Sequence, residues 1–190
     1  MGKKLLGVMM ILFIGGIFLV KAEAQDKSTV TAIIMTDLGK ITIELQPGKA
    51  PKTVANFVQQ AKAKAFDGTT FHRVVPGFVI QGGDPLSKDN NPSNDGTGGG
   101  TMGVEPRKLS NIKGTISMAS ASRNVPINSQ SDAQFFINLN DNLGLDQYGF
   151  IPFGMVTAGM EIVGKIAQSS RDKNDRPIKN VYIKSVTIQP

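Results

Sequence analysis

The sequence predicts a mainly β fold, a closed barrel with helices over its ends, on three observations. Short β-rich runs recur between turn residues. Only two stretches carry the apolar spacing of a helix. No internal repeat or low-complexity linker divides the chain. At 190 residues with 40% hydrophobic and 19% charged content, the chain suffices for one domain with a substantial core and is too short for two comfortable ones. Its 21 glycines fit a soluble, turn-rich globular protein.

Residues 1–24 read as a cleavable secretory signal: Lys3-Lys4, an apolar run from Leu5 to Val20, then Ala22-Glu23-Ala24 as a small-x-small cleavage site, with a mature start at Gln25. The rival reading is a retained anchor, but 16 apolar residues fall short of the ~20 that span a bilayer. The expected location is therefore periplasmic or secreted, with membrane contact only through this segment before cleavage, and residues 25–190 form the single folded domain.

Val30 to Met35 and Lys40 to Leu45 are β-rich runs separated by Thr36-Asp37-Leu38-Gly39, which predicts a hairpin. Pro51 opens a helix where its missing N–H costs nothing, and Val54, Phe57, Val58 and Ala61 then form one apolar stripe. Two strands follow between Thr70 and Gln81, and Asp84 to Ser110 is a long polar loop. Thr115 to Ala119, Gln134 to Leu139 and Phe153 to Thr157 are further strands, the first two separated by a loop from Ser120 to Ala133. Gly159 to Gln168 is the second helix, with Met160, Val163 and Ile166 at helical spacing. Val181 to Ile188 is a last strand whose apolar phase slips between Ile183 and Val186, which predicts a bulge.

Composition excludes several chemistries. Without cysteine there are no disulfides, no thiol nucleophile and no lipid-bearing cysteine after the signal. A single histidine, His72, makes a transition-metal site improbable, and no G-x-S-x-G points to a serine hydrolase. His72 reads instead as a structural residue whose ring nitrogens are satisfied by backbone. Gly98, Gly100 and Gly103 satisfy G-x-G-x-x-G, but no strand precedes them and Pro106 interrupts the place where a phosphate-binding helix would begin. Of the net charge of +6, +2 belongs to residues 1–24, and the remainder shows no dense basic cluster of the kind that binds nucleic acid.

What remains centres on Phe71 to Asp84, reading FHRVVPGFVIQGGD. Phe71, Val74, Val75, Phe78, Val79 and Ile80 are strand-type apolar residues, yet they share the segment with Arg73 and Gln81. A buried arginine is paired or poised for work, because an unpaired charge in low dielectric costs several kcal/mol (about). Pro76-Gly77 breaks the segment into two short strands, and Gly82-Gly83 ends it in a turn, so Arg73 and Gln81 lie on neighbouring backbone pieces.

This segment, followed by GTGG at residues 96–99, ISMA at 116–119, QFFI at 134–137 and FG at 153–154, resembles the cyclophilin family of peptidyl-prolyl cis-trans isomerases, in the family's order and over about Val30 to Ile188. The resemblance implies an eight-stranded antiparallel β-barrel, closed and capped by two α-helices, with a packed interior and a ligand groove outside on one face. It also implies an isomerase that needs neither metal nor cofactor. Arg73 is similar to the family's donor to the proline nitrogen, and Gln81 to the glutamine that hydrogen-bonds substrate and helps hold that arginine. Phe78, Val79, Phe136 and Leu145 resemble the walls of the proline pocket, and Ala119, Ser120 and Gln134 the positions that bind the peptide backbone upstream of proline. Phe150 stands where histidine or tyrosine is common, which keeps an apolar wall. Gly144 replaces the usual aromatic, Ser120 a frequent asparagine, and the loop from Ser120 to Ala133 is longer than in compact members.

The implied partners are proline-containing peptides and unfolded or partly folded exported proteins, met by a monomer. Two alternatives stay open at this point: a catalytically weak module that holds proline-containing segments, and a purely structural barrel that binds none.

Overall fold

The β-rich runs of the sequence assemble into one strongly curled antiparallel sheet. The computed structural model describes residues 30–89, 91–120 and 129–190. The expected signal at 1–24 and the start at Gln25 lie outside them, as does most of the loop after Ser120. Among the described residues no helix is long and apolar enough to cross a membrane.

In chain order the elements are β1 (Val30–Thr36), β2 (Gly39–Leu45), α1 (Pro51–Lys62), β3 (Arg73–Val75), β4 (Val79–Gly82), a 3-10 helix (Pro85–Lys88), β5 (Thr101–Gly103), β6 (Thr115–Met118), β7 (Ser129–Ser131), β8 (Phe135–Asn138), a second 3-10 helix (Leu143–Tyr148), β9 (Pro152–Ala158), α2 (Met160–Ala167) and β10 (Ile183–Gln189). Eight strands form the sheet in the order β10-β1-β2-β9-β6-β8-β4-β3, while β5 and β7 pair apart as a small ribbon. That ribbon falls inside two stretches expected to be loops. Apart from Met102 its residues are polar or glycine, so no apolar alternation marked it.

The expected closed barrel is corrected to an open, curled sheet. Its edges β3 and β10 share no ladder and meet just outside their ends, at an isolated bridge between Thr70 and Tyr182, with Phe71 N–H donating to the Val181 carbonyl at 3.0 Å and Ile183 N–H to the Thr69 carbonyl at 2.8 Å. The physical reason lies at β3, whose outward N–H at Val74 is taken by the Asp175 carbonyl at 2.8 Å. A loop therefore covers the edge that a closing strand would need, which also protects it from pairing with another chain.

Local chemistry accounts for the elements. The β1–β2 register runs from Val30 opposite Leu45 to Thr36 opposite Gly39, and the turn is held by Thr36 Oγ1, which accepts from Leu38 N–H and Gly39 N–H at 3.1 Å each. The β10 bulge is where the phase slip predicted it: Met35 faces Ser185 and Thr36 faces Ile183, so Lys184 is the extra residue. Helix α1 has no capping side chain at Ala50. Glu105, from the polar loop, caps it instead, accepting from Lys52 N–H at 3.2 Å and Thr53 N–H at 2.8 Å. A carboxylate at a helix N-terminus satisfies orphan donors and meets the positive end of the dipole.

The core sits inside the curl. Phe57 of α1 is fully buried, its ring centroid 5.0 Å from Phe66, 5.1 Å from Phe153 and 5.8 Å from Phe135. Val54 and Ala61 are buried beside it and Val58 packs half-buried, which is the predicted stripe. From α2, Val163 and Ile166 are fully buried and Ile162 and Ala167 nearly so, covering another part of the sheet.

Candidate active site

The register of the sheet builds the site. Arg73 lies opposite Gln81, Gln81 opposite Phe136, and Phe136 opposite Ser117, across β3, β4, β8 and β6. Directly opposed residues share a face, so these four side chains form one row on the outer surface of the curl. Their neighbours Val74, Ile80, Phe135 and Ile137 point the other way and are 0% exposed in the core. This settles which of Phe135 and Phe136 faces the core, a question the sequence pattern left open: Phe135 does, and Phe136 faces out.

Outward-facing apolar groups gather into a second cluster apart from the core. Val79, Ala119 and Phe136 are its buried members, and Phe78, Leu145 and Phe150 pack against them. The Phe136 and Phe150 rings meet edge to face, with centroids 5.4 Å apart and an interplanar angle of 84°, a favoured geometry for their quadrupoles. The cluster surrounds a cleft of about 140 Å³ lined by Arg73, Phe78, Val79, Gln81, Ala119, Ser120, Phe136, Leu145 and Phe150. That volume exceeds a single water site and suits a small ring. Nine of the ten residues singled out in the sequence thus meet at one cleft.

The tenth, Gln134, does not line it. It is fully buried behind the wall, where its Nε2 donates to the Gly98 carbonyl at 2.8 Å and its Oε1 accepts from Gln81 Nε2 at 3.1 Å. The placement expected for Gln134, on the peptide backbone, gives way to a contact with Gln81. The expected hold of Gln81 on Arg73 is likewise not made: Gln81 Nε2 donates to Gln134. Arg73 itself is half-buried, and its guanidinium has no hydrogen-bond or ion-pair partner among the described residues. By contrast Arg107 pairs with Asp146 at 3.0 Å and Arg176 with Asp95 at 2.8 Å. An arginine recruited for packing against an acid would have such a partner, and Arg73 has none among the described residues.

Polar residues that the sequence reading passed over hold the far wall. Asp146 Oδ1 accepts from the Asn111 N–H at 2.9 Å and from Asn111 Nδ2 at 2.8 Å, which anchors the 3-10 helix carrying Leu145. Burial alone would raise the Asp146 carboxyl, but the bonds from Asn111 and Ser110 and the charge of Arg107 outweigh it and hold it below the usual range. Asn111, fully buried, also donates to the Phe150 carbonyl at 3.2 Å and accepts from Ser117 Oγ at 2.8 Å. Asn142 Nδ2 fixes the Phe78 carbonyl at 2.9 Å. In sequence these were single asparagines in polar loops, with no pattern to distinguish them from solvated ones.

His72 is buried, with 6% exposure, next to Arg73. The expectation that backbone satisfies its ring is not met: neither ring nitrogen has a hydrogen-bond partner among the described residues. Burial lowers its pKa to about 4 against a counter-pull from Asp84, with Arg73 lowering it further; the Thr70 backbone favours the proton slightly without reaching hydrogen-bond geometry. The ring is therefore neutral at pH 7. Among the described residues no group of three or more His, Cys, Asp or Glu side chains is placed to hold a metal ion.

Comparison with known proteins agrees with this geometry. The family described as cyclophilin type peptidyl-prolyl cis-trans isomerase/CLD matches residues 31–188. The chain is 38% identical over 167 residues to peptidyl-prolyl cis-trans isomerase A of Dickeya dadantii, covering 83% of this chain and 80% of that one. It is also 38% identical over 159 residues to peptidyl-prolyl cis-trans isomerase ppi1 of Schizosaccharomyces pombe, covering 79% and 93%. Among solved structures, a cyclophilin type peptidyl-prolyl cis-trans isomerase of Cryptosporidium parvum, crystallised in the presence of the dipeptide Ala-Pro, superposes with a TM-score of 0.73 at 29% identity, over 84% of this chain and 99% of that one. With the family match over residues 31–188, the shared identity and the superposition in agreement, the chain belongs to the cyclophilin-type peptidyl-prolyl cis-trans isomerases.

Proposed function

We propose that this isomerase turns X–Pro bonds of exported proteins between cis and trans, with the Arg73 guanidinium as the donor to the proline nitrogen. The observation that carries the assignment is the half-buried Arg73, without a partner among the described residues, at the edge of an apolar cleft of proline size. Rotation about the bond crosses a barrier of about 18–20 kcal/mol, because the twisted amide loses its resonance. In the twisted state the proline nitrogen pyramidalises and its lone pair becomes an acceptor, which it is not in the planar ground state. A donor aimed there binds the transition state selectively, and a rigid, permanently charged fork suits the task.

The other cleft residues have matching parts. Phe78, Val79, Phe136, Leu145 and Phe150 hold the proline ring away from water, where a charge-assisted bond is strong. Ala119 and Ser120, at the end of β6, receive the peptide backbone upstream of proline, and Gln81 offers its amide to the substrate. A rate factor of 10⁵ requires about 7 kcal/mol of selective stabilisation, within reach of a desolvated charged bond combined with a held, twist-ready pose. The crystal structure of the Cryptosporidium parvum relative in the presence of the dipeptide Ala-Pro supports a proline-containing peptide as the occupant here.

The test is the cis-to-trans exchange of a short Ala-Pro-containing peptide, followed by NMR exchange spectroscopy with the purified protein and with Arg73→Ala. The wild type accelerates exchange; Arg73→Ala, still folded by circular dichroism, loses most of that acceleration. Binding without acceleration by the wild type overturns the enzymatic reading. Export is supported by Lys3-Lys4, the apolar run and Ala22-Glu23-Ala24. Intact mass of protein recovered outside the inner membrane is expected to correspond to a chain beginning at Gln25, and a mass that includes residues 1–24 overturns cleavage.

A further inference from the structure

We propose that Asp84, remote from the cleft, is a positioning residue for the reaction, acting through Gly98 and Gln134 on the direction in which Gln81 presents its amide; this rests on the catalytic reading given above. Asp84 is fully buried, and all its bonds are to backbone donors. Oδ1 accepts from Leu86 N–H at 2.8 Å, and Oδ2 accepts from Gly96 N–H and from Gly98 N–H at 3.3 Å. The fit is tight: a Cβ at Gly98 would stand 2.1 Å from Asp84 Oδ1 and 2.8 Å from Leu86 Cγ. Glycine at 98 lets the strand of backbone come this close, and the carboxylate then pins it.

The pinned segment sets a polarity. The Gly98 carbonyl can only accept, so buried Gln134 must give it the Nε2 amide, which it does at 2.8 Å. Gln134 Oε1 is thereby turned toward Gln81, which must answer with its own Nε2, at 3.1 Å. One Nε2 hydrogen of Gln81 is thereby committed to the wall, and its Oε1 accepts from no donor among the described residues, on a residue opposite Arg73 in the ladder. Each link has one allowed direction, so the carboxylate that holds Gly98 determines that Gln81 offers an acceptor to the substrate. Among the described residues the bond to Gln134 is the one hydrogen bond that holds the Gln81 amide.

The test is a double-mutant cycle on kcat/KM for the same Ala-Pro peptide, with wild type, Asp84→Asn, Gln81→Ala and the double variant. Asp84→Asn, which places an amide N–H against backbone donors, is expected to lower kcat/KM about ten-fold in the wild-type background and less than about two-fold when Gln81 is already alanine. Equal losses in both backgrounds overturn the proposal, since a merely structural role of Asp84 acts whether or not Gln81 is present. If Asp84→Asn does not fold, Gln134→Met in the same cycle leaves the Asp84 bonds intact and is expected to show the same dependence on Gln81; independence again overturns it.

A second readout needs no turnover. The Gln81 side-chain amide resonances are expected to move in Asp84→Asn and to stay in place in Asn56→Ala, which removes a bond to the Asp132 carbonyl instead. Unmoved resonances in Asp84→Asn overturn the relay even if the wild type proves inactive, whereas moved resonances in an inactive protein uphold it and place the failure with the catalytic reading.

Discussion

His72→Phe is expected to flatten the stability of this protein between pH 7 and pH 4. The wild type buries its one histidine with a pKa lowered from 6.5 to about 4, burial being the largest cause. A lowered histidine pKa means that the unfolded chain binds the proton first, so the contribution is whole above pH 6.5 and is lost as pH falls toward the folded value. Linkage over that interval removes about 2 kcal/mol by pH 5 and about 3 kcal/mol by pH 4, after which the loss levels off. Asp84 pulls toward the charged ring, while Arg73 and Arg176 oppose it. Asp95, whose carboxyl burial raises, has the opposite sign, since the folded chain takes up its proton first as pH falls, and it is common to both proteins.

Because no second histidine or cysteine is present, few other groups titrate between pH 5 and 7, which makes the assignment clean. The assay is urea unfolding at pH 7, 6, 5 and 4 on both proteins, read as ΔG in water and corrected for any change in slope. A difference between wild type and His72→Phe that stays constant from pH 7 to pH 5 would falsify the reasoning, because it would mean that the folded histidine titrates as an ordinary one.

Three further outcomes follow from the geometry. Phe57→Ala opens the space shared with Phe66, Phe135 and Phe153 and is expected to cost about 3–5 kcal/mol by chemical denaturation. Glu105→Ala removes the cap on Lys52 and Thr53 and is expected to cost about 1–2 kcal/mol, with faster hydrogen exchange confined to the first turn of α1. Phe136→Ala removes a wall of the cleft and the edge-to-face contact with Phe150; steady-state kinetics are expected to show KM for the Ala-Pro peptide rising about ten-fold with a smaller change in kcat. An equal fall in kcat and kcat/KM instead would assign Phe136 to the transition state rather than to binding the ring.

Much of this was legible before any coordinates. The hairpin, both helices, the bulge near Lys184 and the adjacency of Arg73 and Gln81 depend on periodicity, on turn residues and on phase, which are local properties. The ribbon of β5 and β7 was not legible, because three residues a side, with Met102 the one large apolar group, are too few to show an alternation. Nor was the cap of α1 by Glu105, which comes from 52 residues beyond Thr53 in the chain, nor the open seam at β3, which depends on a loop carbonyl at Asp175. The site shows the same division: the apolar wall residues stand out by type, whereas Asn111 and Asn142 acquire meaning only from the distant groups they bridge.

By itself the sequence determined the mainly β character, the lack of cysteine and the motif order that marks the family. It also determined that an arginine lies within an apolar strand segment. Only the tertiary structure decided that Phe136 rather than Phe135 faces the cleft, that Gln134 stands behind the wall, that the sheet stays open at β3, and that Arg73 has no partner among the described residues. Those facts rest on cross-strand register and on which loop carbonyl or carboxylate reaches a given donor. Such contacts join residues far apart in the chain, and no window of sequence contains both partners.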